Sequence, residues 1–93
     1  MKMAAQENVI KELKSVLNTD KIVIGTEETI KELKGQMLSK VYLSSNVPEN
    51  VAEDITYYCD LAGTEIVRLE VPNEELGVMC QKPYYISVLG IKK

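Results

Sequence analysis

The chain has no histidine, only two cysteines, and few residues that break structure: five glycines and three prolines in 93 positions. Without histidine there is no ordinary imidazole to act as a catalytic acid or base. Cys59 and Cys80 stand alone, with no CxxC pair, so nothing matches a zinc or disulfide framework. Both lie among apolar neighbours and read as buried, reduced thiols. Neither a GxSxG elbow nor a GxxxxGKS phosphate loop occurs. No apolar run approaches the ~20 residues of a membrane span. The segment Met1-Lys2-Met3-Ala4-Ala5-Gln6-Glu7 lacks the apolar stretch of a signal peptide. These absences lead to the expectation of a cytosolic, non-enzymatic protein with no metal, cofactor, membrane association or small-molecule substrate.

What is present describes one globular domain over residues 1–93, with 45% apolar residues. A domain of this size buries roughly 60 to 65% of its unfolded surface, which commits nearly every apolar face to the core and leaves little room for a deep pocket. The net charge is −3, from 11 basic and 14 acidic residues. Broad, non-specific nucleic-acid binding is therefore disfavoured, and only a local basic patch suits RNA. The carboxylate pairs Glu27-Glu28, Glu53-Asp54 and Glu74-Glu75 read as solvated helix faces rather than as acid–base machinery.

Hydrophobic periodicity divides the chain into alternating elements. From Ala4 to Leu17, Val9, Ile10, Leu13, Val16 and Leu17 form a helical stripe, closed by Asn18-Thr19-Asp20. Lys21-Ile22-Val23-Ile24 reads as a short buried strand. Thr26 is expected to cap a second helix with its hydroxyl, Glu27 and Glu28 to suit its first turn, and Lys31 and Lys34 its later part. Ile30, Leu33 and Met37 face inward, and Gly35 suits a left-handed end. A second strand runs from Lys40 to Ser44. Pro48 suits the first turn of a third helix, whose inner face carries Val51, Ile55, Tyr58 and Ala62 before Gly63 stops it. Glu65 to Leu69 make a third strand. Asn73 is expected to cap a short helix that runs through Leu76 to Cys80, and Tyr84 to Leu89 to form the fourth strand. The order αβαβαβαβ with short connections predicts an α/β, three-layer αβα sandwich: a four-stranded mixed sheet with helices on both faces.

The informative places are the strand exits Ile24-Gly25-Thr26 and Ser44-Ser45-Asn46 and the approach Lys82-Pro83-Tyr84, since ligands of open α/β sheets gather outside strand ends. Gly25 permits close backbone approach, and the N–H groups behind Thr26 can meet a phosphate. Asn46 can donate to and accept from a base edge, and Tyr84 offers a stacking face. Each also has a plain structural reading: Gly25 as a tight turn, Asn46 as an Asx-turn before proline, Tyr84 as core. Spacing does not decide between them.

Ser45-Asn46-Val47-Pro48, Glu53-Asp54-Ile55-Thr56-Tyr57-Tyr58, Leu61, the strand Glu65 to Leu69, Asn73-Glu74-Glu75-Leu76-Gly77 and Lys82-Pro83 follow one another in order. With Ile24-Gly25-Thr26 and the helix end from Lys31 to Gly35, this set resembles the kink-turn-binding superfamily of ribosomal proteins, most closely its archaeal and eukaryotic large-subunit branch numbered thirty-e. The likeness covers residues 9 to 91. It implies a protein of the large ribosomal subunit that binds ribosomal RNA at a kink-turn, a sharp bend with tandem sheared G·A pairs. It implies that Gly25, Thr26, Glu27 and Glu28 meet the guanines, Lys31 a phosphate, Asn46 a base, and Pro83 or Tyr84 an extruded base. Glu27 stands where the family carries Asn, Lys or Arg, and Gln81 where glycine is common. Glu27 and the net charge of −3 keep a second reading open, a protein-interaction or regulatory module on the same fold that has lost RNA binding.

Overall fold

The computed structural model describes residues 10–17, 19 and 21–93. Residues 4–9 of the expected first helix, including Val9, and its expected stop at Asn18 and Asp20 lie outside the described residues. A helix, α1, covers 10–16. It is followed by β1 (Ile22–Ile24), α2 (Thr26–Lys34), β2 (Leu38–Leu43), α3 (Glu49–Ala62), β3 (Glu65–Arg68), α4 (Asn73–Met79) and β4 (Val88–Lys92).

The strands form one mixed sheet in the order β1-β4-β2-β3. β4 is antiparallel to both β1 and β2, while β2 and β3 are parallel. Because side chains alternate across a strand, each strand feeds two cores. Val23, Val41, Leu43 and Val88 pack beneath α2 and α3 with Leu33, Ile55 and Cys59. Tyr42, Leu89 and Ile91 pack on the other face with Leu13 of α1 and Leu76 of α4. The αβα sandwich read from the sequence is the fold observed. Burial pushes the Cys59 thiol up to about 11, so it stays protonated, whereas Cys80 is only half-buried.

Several local readings change. β2 begins two residues earlier than expected, at Leu38, which is 1% exposed and packs against the Gly90 backbone. β4 begins at Val88 rather than Tyr84, because ladder partners begin only there, at Leu43↔Val88 and Ile24↔Leu89. Residues 81–87 instead run as a loop over α4. Pro48 precedes α3 with an extended ψ of 142°, rather than sitting in its first turn. Met37, expected to face inward, is 53% exposed.

The helix ends show why glycine positions mislead. Each of α2, α3 and α4 closes with a pair of backbone bonds in the Schellman pattern. For α3 these are Thr64 N–H to the Cys59 carbonyl and Gly63 N–H to Asp60, with Gly63 at φ 69°. For α2 they are Met37 N–H to Glu32 and Gln36 N–H to Leu33, and for α4 Lys82 N–H to Gly77 and Gln81 N–H to Val78. The left-handed position of α2 is therefore Gln36, at φ 57°, and not Gly35, whose φ is −87°. In α4 it is Gln81, at φ 58°. A side chain in this region costs about 1–2 kcal/mol, of which glycine's extra unfolded-state freedom returns part. Gln36→Gly or Gln81→Gly should each stabilise the fold by about 0.5–1 kcal/mol and raise Tm by several degrees. Thermal unfolding followed by circular dichroism reads this directly, and a lower Tm would reject the cap assignment.

Candidate functional site

Antiparallel pairing with β4 brings the ends of β1 and β2 to the same rim of the sheet. Gly25 N–H donates to the Val88 carbonyl at 3.0 Å, and Ser44 N–H to the Ser87 carbonyl at 2.9 Å. The turn after β1 and the turn after β2 thus flank the first residues of β4. The loop carrying Pro83 and Tyr84 leads into that same point.

Gly25 has φ 104° and ψ 155°, a region essentially closed to residues with a Cβ, so this turn requires glycine. It occupies the N-cap of α2, and no side chain caps the helix. Thr26, expected to cap through its hydroxyl, is instead the first helical residue, because the glycine turn starts the helix one residue sooner. The first intrahelical bond is Thr29 N–H to the Gly25 carbonyl. The N–H groups of Thr26, Glu27 and Glu28 therefore lie ahead of the helical ladder and face the rim as donors. The Glu27 and Glu28 side chains are exposed. Lys31, exposed and one turn on, shares the helix face of Glu27.

Asn46 is anchored by a residue 27 positions away. Its Oδ1 accepts the Asn73 backbone N–H at 2.9 Å, and its Nδ2 donates to Asn73 Oδ1 at 3.1 Å. A backbone N–H can only donate, so the orientation of the Asn46 amide is fixed. One amide hydrogen remains to be offered outward. Asn73 Nδ2 in turn donates to Ser87 Oγ at 3.4 Å. Asn73 is thus the first residue of α4, preceded by Pro72, and its side chain does not cap the helix.

The Tyr84 loop is set by α4. A Cβ on Gly77 would overlap the Tyr84 carbonyl oxygen and lie 3.2 Å from its carbon, so the loop backbone lies directly on this glycine. Ile86 N–H donates to the Asn73 carbonyl at 3.1 Å, and the Tyr85 hydroxyl to Glu74 Oε2 at 3.4 Å. Pro83 and Tyr84 are left exposed, Tyr84 at 51%, so the reading of Tyr84 as core does not hold. Tyr85, more exposed still, was not singled out from the sequence.

All eight residues implied by the resemblance therefore belong to one sheet end and the first turns of α2. The fixing of Asn46 and the Tyr84 loop falls to Asn73, Gly77 and Ser87, which sequence reasoning missed as parts of the site. Asn73 and Gly77 lie within the segment Asn73-Glu74-Glu75-Leu76-Gly77, but nothing local reveals their long-range contacts.

The model of the ribosomal protein L7Ae/L30e/S12e/Gadd45 family matches residues 7–93. The large ribosomal subunit protein eL30 of Methanocaldococcus jannaschii is 32% identical over 89 residues, 94% of this chain and 81% of that protein. Its counterpart in Pyrobaculum calidifontis is 36% identical over 81 residues, 87% of this chain and 80% of that protein. Among solved structures, a Giardia lamblia 15.5kD RNA binding protein superposes with a TM-score of 0.83 at 17% identity, covering all of this chain and 76% of that one. A protein with unknown function from Bacillus halodurans C gives 0.81 at 18% identity, covering 90% and 83%. These two structural likenesses bear on the fold alone.

Proposed function

Because the chain belongs to the ribosomal protein L7Ae/L30e/S12e/Gadd45 family, we propose that it is a non-catalytic RNA-binding component of the large ribosomal subunit. It works in the cytoplasm on the ribosome and recognises a kink-turn in ribosomal RNA. The observation that carries this reading is the convergence of three kinds of contact on one rim: uncapped N–H donors after Gly25, the fixed amide of Asn46, and the exposed Pro83-Tyr84 loop. RNA recognition of this kind depends on shape and on splayed bases held by hydrogen bonds and stacking.

In this reading the N–H groups of Thr26 to Glu28 meet guanine acceptors, Asn46 donates its remaining amide hydrogen to a base, and Pro83 or Tyr84 packs on an extruded one. Lys31 meets a phosphate. The Glu27 carboxylate accepts from a guanine N–H edge, where a phosphate would be repelled. The names of the eL30 relatives support the ribosomal assignment. Among the described residues no helix is long and apolar enough to cross a membrane, and no group of three metal-ligating side chains stands together.

The test of the cellular role is co-sedimentation with large ribosomal subunits followed by crosslink mapping. Crosslinks from Tyr84 to a kink-turned segment are expected, and a protein found only in ribosome-free fractions would reject the assignment. Lys31→Ala should weaken binding across RNA sequences and reduce the slope of log affinity against log salt by about one. Titrations at several salt concentrations check this, and an unchanged slope would remove Lys31 from the phosphate contacts.

A further inference from the structure

The opposite end of the sheet carries a feature that the kink-turn rim does not use. Lys21 precedes β1, Lys40 lies in the first half of β2, and Lys92 ends β4. The same pairing that gathers the rim above gathers these residues below it. Lys92 N–H donates to the Lys21 carbonyl at 2.8 Å, and Lys93 N–H to the Met37 carbonyl at 2.9 Å. Together with Glu12, Ser39 and Tyr42 these lysines line a cleft of about 350 Å³ between α1 and the sheet.

Four of the chain's 11 basic residues thus share one cleft on a protein of net charge −3. Lys40 is paired with Glu12 at 3.0 Å. Lys40 also meets Glu65 at 4.0 Å, while Lys21, Lys92 and Lys93 form no ion pair with a described residue, which leaves the cleft with a net positive charge of about two. β4 has five residues, so the two sheet ends are separated by about 15 Å at ~3.3 Å per residue. That exceeds the Debye length of about 8 Å at physiological salt. The acids near Gly25 therefore do not cancel the lysines below.

We propose that this lysine cleft holds the phosphate backbone of a second RNA helix, so that the protein ties a kink-turn at one sheet end to another RNA element at the other. The RNA class of the ligand rests on the reading given above. The cleft's chemistry favours backbone over bases. Its cations are lysines, point charges without the planar fork that reads base edges. Its one aromatic ring, Tyr42, is 2% exposed and presents no face for stacking. The Ser39 hydroxyl donates to the Ile91 carbonyl at 3.3 Å, which leaves the phosphate contacts to the lysines.

The test uses the full chain saturated with a kink-turn RNA. A fluorescent duplex RNA of about 16 base pairs without an internal loop is then titrated at about 50 mM salt. The duplex should bind in the presence of the kink-turn RNA, with a log–log salt slope of about −2 to −3. Combined Lys21→Gln, Lys92→Gln and Lys93→Gln should weaken duplex binding at least about tenfold and leave kink-turn affinity unchanged. Glu12→Gln, which removes the opposing charge, should tighten it. A triple variant that binds the duplex as the wild type does, or displacement of the duplex by the kink-turn RNA, overturns the proposal. Wild-type protein that binds the kink-turn but not the duplex also overturns it and leaves the first reading standing. Wild-type protein that binds the duplex through these lysines but ignores the kink-turn supports the cleft and rejects the first reading.

Discussion

Gly77→Ala should destabilise the protein by about 3 kcal/mol, lowering Tm by more than 10 °C, and should weaken RNA binding beyond what the loss of folded protein explains. Helix propensity alone predicts the opposite sign, because alanine in the middle of a helix is worth up to ~1 kcal/mol over glycine. Packing decides the outcome. The added methyl would overlap the Tyr84 carbonyl and stand 3.5 Å from Tyr85 Cα, and these are backbone atoms with no rotamer to yield. Relief requires lifting residues 81–87 away from α4, which strains the Ile86-to-Asn73 bond and moves Pro83 and Tyr84. Chemical denaturation gives the stability loss, and titration below the new Tm gives the affinity loss. Unchanged stability would mean that the loop does not rest on Gly77. Unchanged affinity at reduced stability would mean that the loop is not part of the RNA site.

The second large effect separates two roles of Asn46. Asn46→Ala removes the acceptor for the Asn73 N–H and the donor to Asn73 Oδ1. It should cost about 1 kcal/mol of stability, the scale of a lost helix cap. It should also cost about 1–3 kcal/mol of RNA affinity. Asn46→Asp keeps the acceptor and places a carboxylate at the N-terminus of α4, where the helix dipole favours it. Asn73 can turn its amide to donate to that carboxylate while the Ser87 hydroxyl donates to the Asn73 oxygen. The aspartate variant should therefore fold as stably as the wild type, yet lose at least as much affinity as the alanine variant. Its outward donor is gone and a negative charge faces the RNA. Wild-type affinity in Asn46→Asp would show that Asn46 serves only to hold α4.

The sheet and its two cores were legible because apolar periodicity separates helices from strands even in short segments. Val41 and Tyr42 in β2 and Leu33 and Ile55 in the helices fall where that periodicity puts them. The fourth strand was misplaced because Tyr84-Tyr85-Ile86 has strong β propensity, and tertiary contact with Gly77 overrides it. Gly35 looked like a helix terminator, but the backbone bonds put the left-handed turn one residue later, on Gln36. The rim was legible in its parts and not in its wiring. Gly25 and Asn46 were visible as strand exits, whereas Asn73 lies 27 residues from the asparagine it holds. The lysine cleft was invisible, because the segments of Lys21, Lys40, Lys92 and Lys93 meet only through strand pairing.

Recognition of a bent RNA by its shape at the rim of Gly25, Asn46 and Tyr84 is separated from general RNA affinity by a matched pair of RNAs. One carries the kink-turn; the other has its tandem sheared G·A pairs replaced by Watson–Crick pairs at equal length and charge. Isothermal titration of both at physiological salt should give binding to the kink-turn at least about a hundredfold tighter, as one or two lost base contacts require. Equal affinity for the two RNAs, or binding to neither, would rule out shape-led recognition at this rim.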